Sequence, residues 1–209
     1  MHPNPIFRDA ENGESLAFAR ERSFGTLAMN ADHTPLLSHI PFLISDDARQ
    51  IDFHLVRSNP IARALKNTAA AAKLAVTGPD SYISPDWYEL DDQVPTWNYV
   101  SVHFIGTMEL QPAEDLLALL ERQSELFEQR LLPKPPWLTT KMSPDALNKM
   151  MRAIVPVRLN IKDMQSTWKL GQNKPEAARF AAANQVSQHG IGAKVKTLAA
   201  HMTTPPKNN

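Results

Sequence analysis

VPTWNYVSVHFIGTM, residues 94–108, decides how the rest of the chain is read. Its second half alternates: Val100, Val102, Phe104 and Met108 share one parity with Gly106 between them, while Ser101, His103 and Thr107 share the other, broken by Ile105. A period of two carried by β-branched and aromatic residues is the pattern of a strand with one buried face. Its first half, Thr96-Trp97-Asn98-Tyr99, offers a hydroxyl, an indole, a carboxamide and a phenol in succession. It reads as a polar, aromatic loop feeding a core strand, which is how a rigid scaffold presents a binding site. The plainer alternative is an ordinary strand with an aromatic loop before it.

More strands lie upstream. Residues 23–30, SFGTLAMN, place Phe24, Thr26 and Ala28 on one side. Residues 36–45, LLSHIPFLIS, are apolar on both parities, as in a central or barrel-closing strand, with Pro41 removing a ladder donor. In residues 51–56, Ile51, Phe53 and Leu55 alternate with Asp52 and His54. Joined by short turns, these strands predict an antiparallel meander. At RSNP, residues 57–60, Asn59 suits an N-cap and Pro60 the first position of a short helix through Ile61, Ala62, Leu65 and Lys66. A strand over 73–77 ends at a Gly78-Pro79 turn.

Helical spacing marks residues 15–22 and 111–132, the latter with Leu116, Leu120, Phe127 and Leu131 as its stripe, helped by Leu117. Ser143 caps another helix through Ala146, Leu147 and Met151. Residues 154–164 read as the closing strand, with Val155, Val157, Leu159 and Ile161 of one parity. Helices resume at 175–186 and 193–202, and residues 203–209 are expected to fray. The expected fold is α+β: an antiparallel barrel with peripheral helices over residues 1–165, and a helical C-terminal segment over 166–209.

With 22 basic and 22 acidic residues in 209, the chain is formally neutral, which argues against a whole-domain electrostatic nucleic-acid binder and leaves room for a local basic patch. It has no cysteine, which excludes disulfides, thiolate nucleophiles and cysteine-ligated zinc. The opening MHPNPIFRDAENGE lacks the apolar run of a secretory signal, and nowhere do about eighteen apolar residues run together to span a bilayer, so a cytoplasmic protein is expected. The seven histidines form neither HxH nor HExxH, and no GxSxG, P-loop or GxGxxG occurs.

RSNP combines a guanidinium, a hydroxyl and a capped helix start, which suits a phosphate; a solvent-facing cap beside an arginine is the alternative. His39, His54 and His103 fall in separate strands, as converging groups or as hydrogen-bonded structural residues. In TWKLGQNK, residues 167–174, Trp168 could stack and Gln172 and Asn173 could meet the edge of a heterocycle, or the segment simply starts the next helix.

SFGTL (23–27), HIPF (39–42), HLVRSNP (54–60), GPDSYISPDWY (78–88), VPTWNYVSVHFIG (94–106) and KLGQNK (169–174) stand in family order. Over almost its whole length the chain resembles the PaiB-type family, described as FMN-binding negative transcriptional regulators. The resemblance implies a split β-barrel, related to pyridoxamine-phosphate oxidase and flavin reductase folds, and a homodimer with FMN in grooves at the subunit interface. It also implies a site in which Arg57, Ser58 and Asn59 hold the phosphate and His54, in the same motif, joins the cofactor set. By the same resemblance, Ser38, His39 and Ile40 would line the flavin ring, partly through backbone groups, Trp97 and Asn98 would close the site, and Lys169, Gln172 and Asn173 would reach it from the C-terminal segment. Many relatives carry serine where Gly171 stands.

A DNA partner is implied by the family description alone. The residues show no helix-turn-helix and no basic recognition helix, only a mild bias from Lys194, Lys196, His201 and Lys207. The alternatives are an FMN-dependent oxidoreductase, with His39 and His103 as candidate proton donors, and a haem-binding or haem-degrading split barrel ligated by His189 or His201.

Overall fold

The computed structural model describes residues 2–8 and 12–206. One seven-stranded sheet runs through it: β1 (Phe24–Met29), β2 (Leu36–Pro41), β3 (Leu43–Ile44), β4 (Gln50–Val56), β5 (Ala70–Ile83), β6 (Thr96–Leu110) and β7 (Ile154–Lys169), in the order β2-β1-β5-β6-β7-β4-β3. The helices among the described residues are α1 (Asn12–Arg22), α2 (Pro60–Ala64), α3 (Leu116–Glu128), α4 (Pro144–Met151), α5 (Glu176–His189) and α6 (Val195–Thr203). The chain divides into two compact units. The first comprises Met1–Arg22, Val76–His103 and Met164–Asn209, the second Ser23–Ala75 and Phe104–Asp163.

In the second unit the sheet order fixes the curvature. β2 and β3 are the outermost strands, yet only Phe42 separates them in the chain. In a flat sheet six spacings of about 4.8 Å would hold them about 29 Å apart. The Cα atoms of Pro41 and Leu43 can be at most about 7 Å apart. The sheet therefore rolls until its edges meet, and β2 packs against β4. This corrects two expectations. Residues 36–45 are two strands with a corner at Phe42, and the order β1-β2-β4 is no meander, because β4 pairs with β7 and β3 and β2 pairs with β1. Pro41 has no N–H to continue the ladder, whereas the Phe42 N–H donates to Ser23 O at 3.1 Å and its ring is fully buried.

The expected alternation of β4 holds: Ile51, Phe53 and Leu55 are buried. On its other face Asp52 stands opposite Arg158 of β7. The Arg158 Nε and Nη2 donate to the carboxylate at 2.7 and 3.0 Å, and Arg122 Nη2 adds a third bond at 3.1 Å. Burial alone pushes the Asp52 carboxyl upward; the bonds from Arg158 and Arg122 outweigh it and hold the group below its usual value. A carboxyl depressed in the folded state contributes stability above its unfolded pKa of about 3.9, and that contribution is lost as pH falls through the folded value. Asp52→Asn should therefore cost about 1–2 kcal/mol at neutral pH and flatten the acid limb of the stability profile, read by urea unfolding at pH 7 and pH 3.

Helix α3 buries Leu116, Leu119 and Gln123, and Leu131 is exposed, because the helix ends at Glu128 and a 3-10 turn over Gln129–Leu131 leaves its apolar stripe. Ser143 caps α4 as expected, its Oγ accepting from the Ala146 N–H at 3.3 Å.

The first unit has its own core. Ile83, Tyr88, Val100, Trp168 and Leu170 pack with Ala178, Ala182, Ala183 and Val186 of α5 and Leu198, Ala199 and Met202 of α6. β5 does not turn at Gly78-Pro79 but runs through it to Ile83. A Cβ at Gly78 would lie 2.7 Å from the Phe18 ring and 2.9 Å from Val100 Cβ, so this glycine marks close approach inside a strand. Beyond it, the loop between α5 and α6 takes over hydrogen bonding: Asp80 N–H donates to Ala193 O and Tyr82 N–H to Ile191 O, each at 3.0 Å. The C-terminal helices are thus laced to β5 by main-chain bonds. Of the residues 203–209 expected to fray, Thr203 instead ends α6, and 207–209, like residues 1 and 9–11, lie outside the described residues. No helix of the described residues is long and apolar enough to cross a membrane.

Candidate functional site

The residues singled out from sequence fall into both units. Ser38, His39, Ile40, His54, Arg57, Ser58 and Asn59 belong to the second, and Trp97, Asn98, Lys169, Gln172 and Asn173 to the first.

In the second unit the corner between β4 and α2 gathers most of its set. Asn59 works as the expected cap, its Oδ1 accepting from the Ile61 N–H at 2.8 Å. Its Nδ2 donates to Ser38 Oγ at 2.7 Å, which ties β2 to the helix start. Asn59 is therefore held at both ends of its carboxamide. The Arg57 guanidinium is braced: Nε donates to Arg152 O at 3.1 Å and Nη2 to Ile154 O at 3.3 Å. That spends two of a guanidinium's five N–H groups and fixes the direction of the rest. Ser58 is exposed, and its hydroxyl has no partner among the described residues. Ile40 buries its side chain, leaving only backbone to offer a ligand. His39 is exposed, with Nδ1 3.0 Å from Thr26 Oγ1.

His54 is committed to structure. Gln123 Nε2 donates to Pro41 O at 3.1 Å, so the Gln123 Oε1 faces His54 Nδ1, also at 3.1 Å, and this nitrogen carries the proton. Burial lowers the His54 pKa, and the bond to Gln123 pulls it part of the way back. Gln123 was missed from sequence, although a glutamine four residues after Leu119 and seven after Leu116, on the buried stripe, is the signal that could have found it.

In the first unit, β6 begins at Thr96, so TWNY is strand and not the expected loop. The alternation that buries Val100, Val102, Phe104 and Met108 extends back to Asn98, which takes a core-facing position 1 % exposed. Neither its Nδ2 nor its Oδ1 makes a hydrogen bond of acceptable geometry among the described residues. The Tyr88 phenol lies close by, near enough to offset slightly the rise that burial imposes on the Tyr88 pKa. Trp97 points the other way, exposed, its ring edge toward Tyr82 at 6.5 Å.

Asn98 lines a cavity of about 200 Å³ together with Phe7, Tyr88, Thr96, Lys169, Gly171, Asn173 and Lys174. Lys169 Nζ donates to Thr96 Oγ1, and Lys174 Nζ donates to Gln93 and lies 5.4 Å above the Tyr88 ring. Burial lowers the Lys169 pKa. Gln172 is occupied in bracing its own turn, accepting from Leu170 N–H and donating to Trp168 O. Trp168 is not a stacking platform. It is buried, its Nε1 donates to Ser15 Oγ at 3.0 Å, and its ring meets Phe18 and His201 edge-on.

Of the remaining histidines, His103 Nε2 is 3.1 Å from Ser101 Oγ, and His189 is exposed at the end of α5. His201 is half-buried, its pKa lowered by burial against an upward pull from Glu21. Among the described residues no cluster of histidine and carboxylate side chains could hold a metal ion.

This fold and these motifs define a split-barrel flavin protein. The sequence matches the family described as "Putative FMN-binding domain" over residues 1–163. It is 31% identical over 175 residues to the Bacillus subtilis "Protease synthase and sporulation protein PAI 2", covering 82% of this chain and 83% of that one. The chain therefore belongs to the PaiB-type family of FMN-binding split-barrel proteins, and FMN is the cofactor which that membership assigns. Among solved structures, the FAD and haem binding protein of Mycobacterium smegmatis superposes with a TM-score of 0.58 at 17% identity, over 88% of this chain and 81% of that one. The flavocytochrome Anf3 of Azotobacter vinelandii does so at 0.57 and 12%, over 82% and 73%. At these identities both speak for the fold alone.

Proposed function

We propose that this chain is a homodimeric, cytoplasmic FMN-binding regulator of the PaiB type, seating the flavin phosphate at the corner after β4. The observation that carries the assignment of the phosphate is the braced Arg57: two carbonyls hold its guanidinium while its remaining N–H groups and the neighbouring Ser58 hydroxyl stay available to an anion. These donors suit a phosphate, whereas the Ile61 N–H at the start of α2 is already taken by Asn59. The outermost strand β2, with one hydrogen-bonded neighbour, is the part of the corner suited to the ring, beside Ser38 and His39. Bound FMN would supply a ring that accepts and returns electrons. The protein's share is to hold it.

Large apolar side chains left exposed on strands of the second unit, Phe24, Leu37 and Val56, favour association with a second copy. Titration with FMN, followed by quenching of flavin fluorescence, should show saturable binding, and Arg57→Ala should weaken it about 10–100-fold. Unchanged affinity in that variant would refute the phosphate seat. Light scattering reports the dimer. A gel shift with the chain's own upstream DNA, with and without FMN, tests repression, and a shift lost to competitor DNA in modest salt would eliminate direct, specific contact.

A further inference from the structure

We propose that the cavity around Asn98 in the first unit binds a small monoanionic carboxylic acid bearing a hydroxyl, so that Asn98, Lys169 and Asn173 serve this ligand and not the flavin. The argument begins with Asn98. A carboxamide on the buried parity of β6, 1 % exposed, has the Tyr88 phenol close by but no hydrogen bond of good geometry at either Nδ2 or Oδ1, and such a group is costly to bury unless something in the cavity meets it. The demand is specific: one acceptor for Nδ2 and one donor for Oδ1.

Gly171 keeps the space open. With φ +83°, it occupies the left-handed region, and a Cβ there would lie 3.8 Å from Asn98 Nδ2 and 3.9 Å from Tyr88 Oη. Any hydroxyl-bearing side chain at this position would reach toward the amide, and glycine leaves the amide to a ligand.

The charges set the rest. Lys169 and Lys174 both line the cavity, each ammonium donates to one neutral oxygen, and neither pairs with a carboxylate among the described residues. Asp92 also lines the cavity, so the local balance of Lys169, Lys174 and Asp92 is one net positive charge, which matches a monoanion better than a dianion. At about 200 Å³ the space falls below the roughly 300–1,000 Å³ of pockets for drug-sized molecules, so it takes a small acid and not a flavin.

Calorimetry on the full-length protein with lactate, acetate and inorganic phosphate tests this. Lactate should bind saturably and at least tenfold more tightly than acetate, which lacks the hydroxyl, and more tightly than phosphate. Saturating the wild-type protein with FMN should leave lactate binding unchanged, and FMN binding itself is read separately from its absorbance. Asn98→Leu should reduce lactate to the affinity of acetate, and Lys169→Met should weaken both acids about tenfold. Lys169→Met keeps the test decisive where Asn98→Leu fails to fold, because its ammonium makes a single side-chain bond. Absence of lactate binding, equal affinity for lactate and acetate, tighter binding of phosphate, displacement of lactate by FMN, or an unaltered Lys169→Met would each overturn the proposal.

Discussion

Phe42→Ala should unfold in urea with a loss of about 3–5 kcal/mol, the usual range for truncating a fully buried phenylalanine. The ring at this position is inaccessible to solvent, and its residue is the whole connection between the outermost strands of the sheet. Its backbone N–H is bonded to Ser23 O, at the base of β1. Truncation leaves that bond in place and removes only the packing, so the measurement isolates the contribution of the ring to closing the sheet. A loss under about 1 kcal/mol would mean that the corner is held by its backbone and by Pro41, not by the core.

Gly106→Ala should cost about 3 kcal/mol and lower Tm by about 6–12 °C. Gly106 falls on the buried parity of β6, where every other position carries a side chain. A Cβ there would stand 2.0 Å from the Asn160 carbonyl oxygen of β7. The obstacle is backbone, which cannot rotate away as a side chain does, so accommodation means moving one strand off the other. A melting temperature within a degree or two of wild type would show that β6 and β7 separate there without cost.

These sites show what was legible in the sequence. The alternation of Ile51, Phe53 and Leu55 and the caps Asn59 and Ser143 were readable because strand parity and capping are local properties. Gly78-Pro79 was misread because a glycine required for the close approach of Phe18 and Val100 looks, in sequence, like a glycine required for a turn. TWNY was misread as a loop because Asn98 occupies a core-facing slot with a polar group, which breaks the hydrophobic pattern where a ligand site would. Trp168 looked like a recognition group because nothing within its own segment announces the Ser15 hydroxyl that satisfies its indole. The family was plain from its motifs, but the bracing of Arg57 by the carbonyls of Arg152 and Ile154 depends on residues about a hundred positions away and could not be read from RSNP.

The bond from Trp168 to Ser15 spans 153 positions of chain. A ribosome adding about 5–20 residues per second needs about 8–30 s to make that length. Throughout that interval α1 has emerged without the indole it packs against, and Phe18 has no ring to meet. Nascent chains of this protein therefore carry the Ser15 hydroxyl and the Phe18 ring well before the indole that engages both has been made.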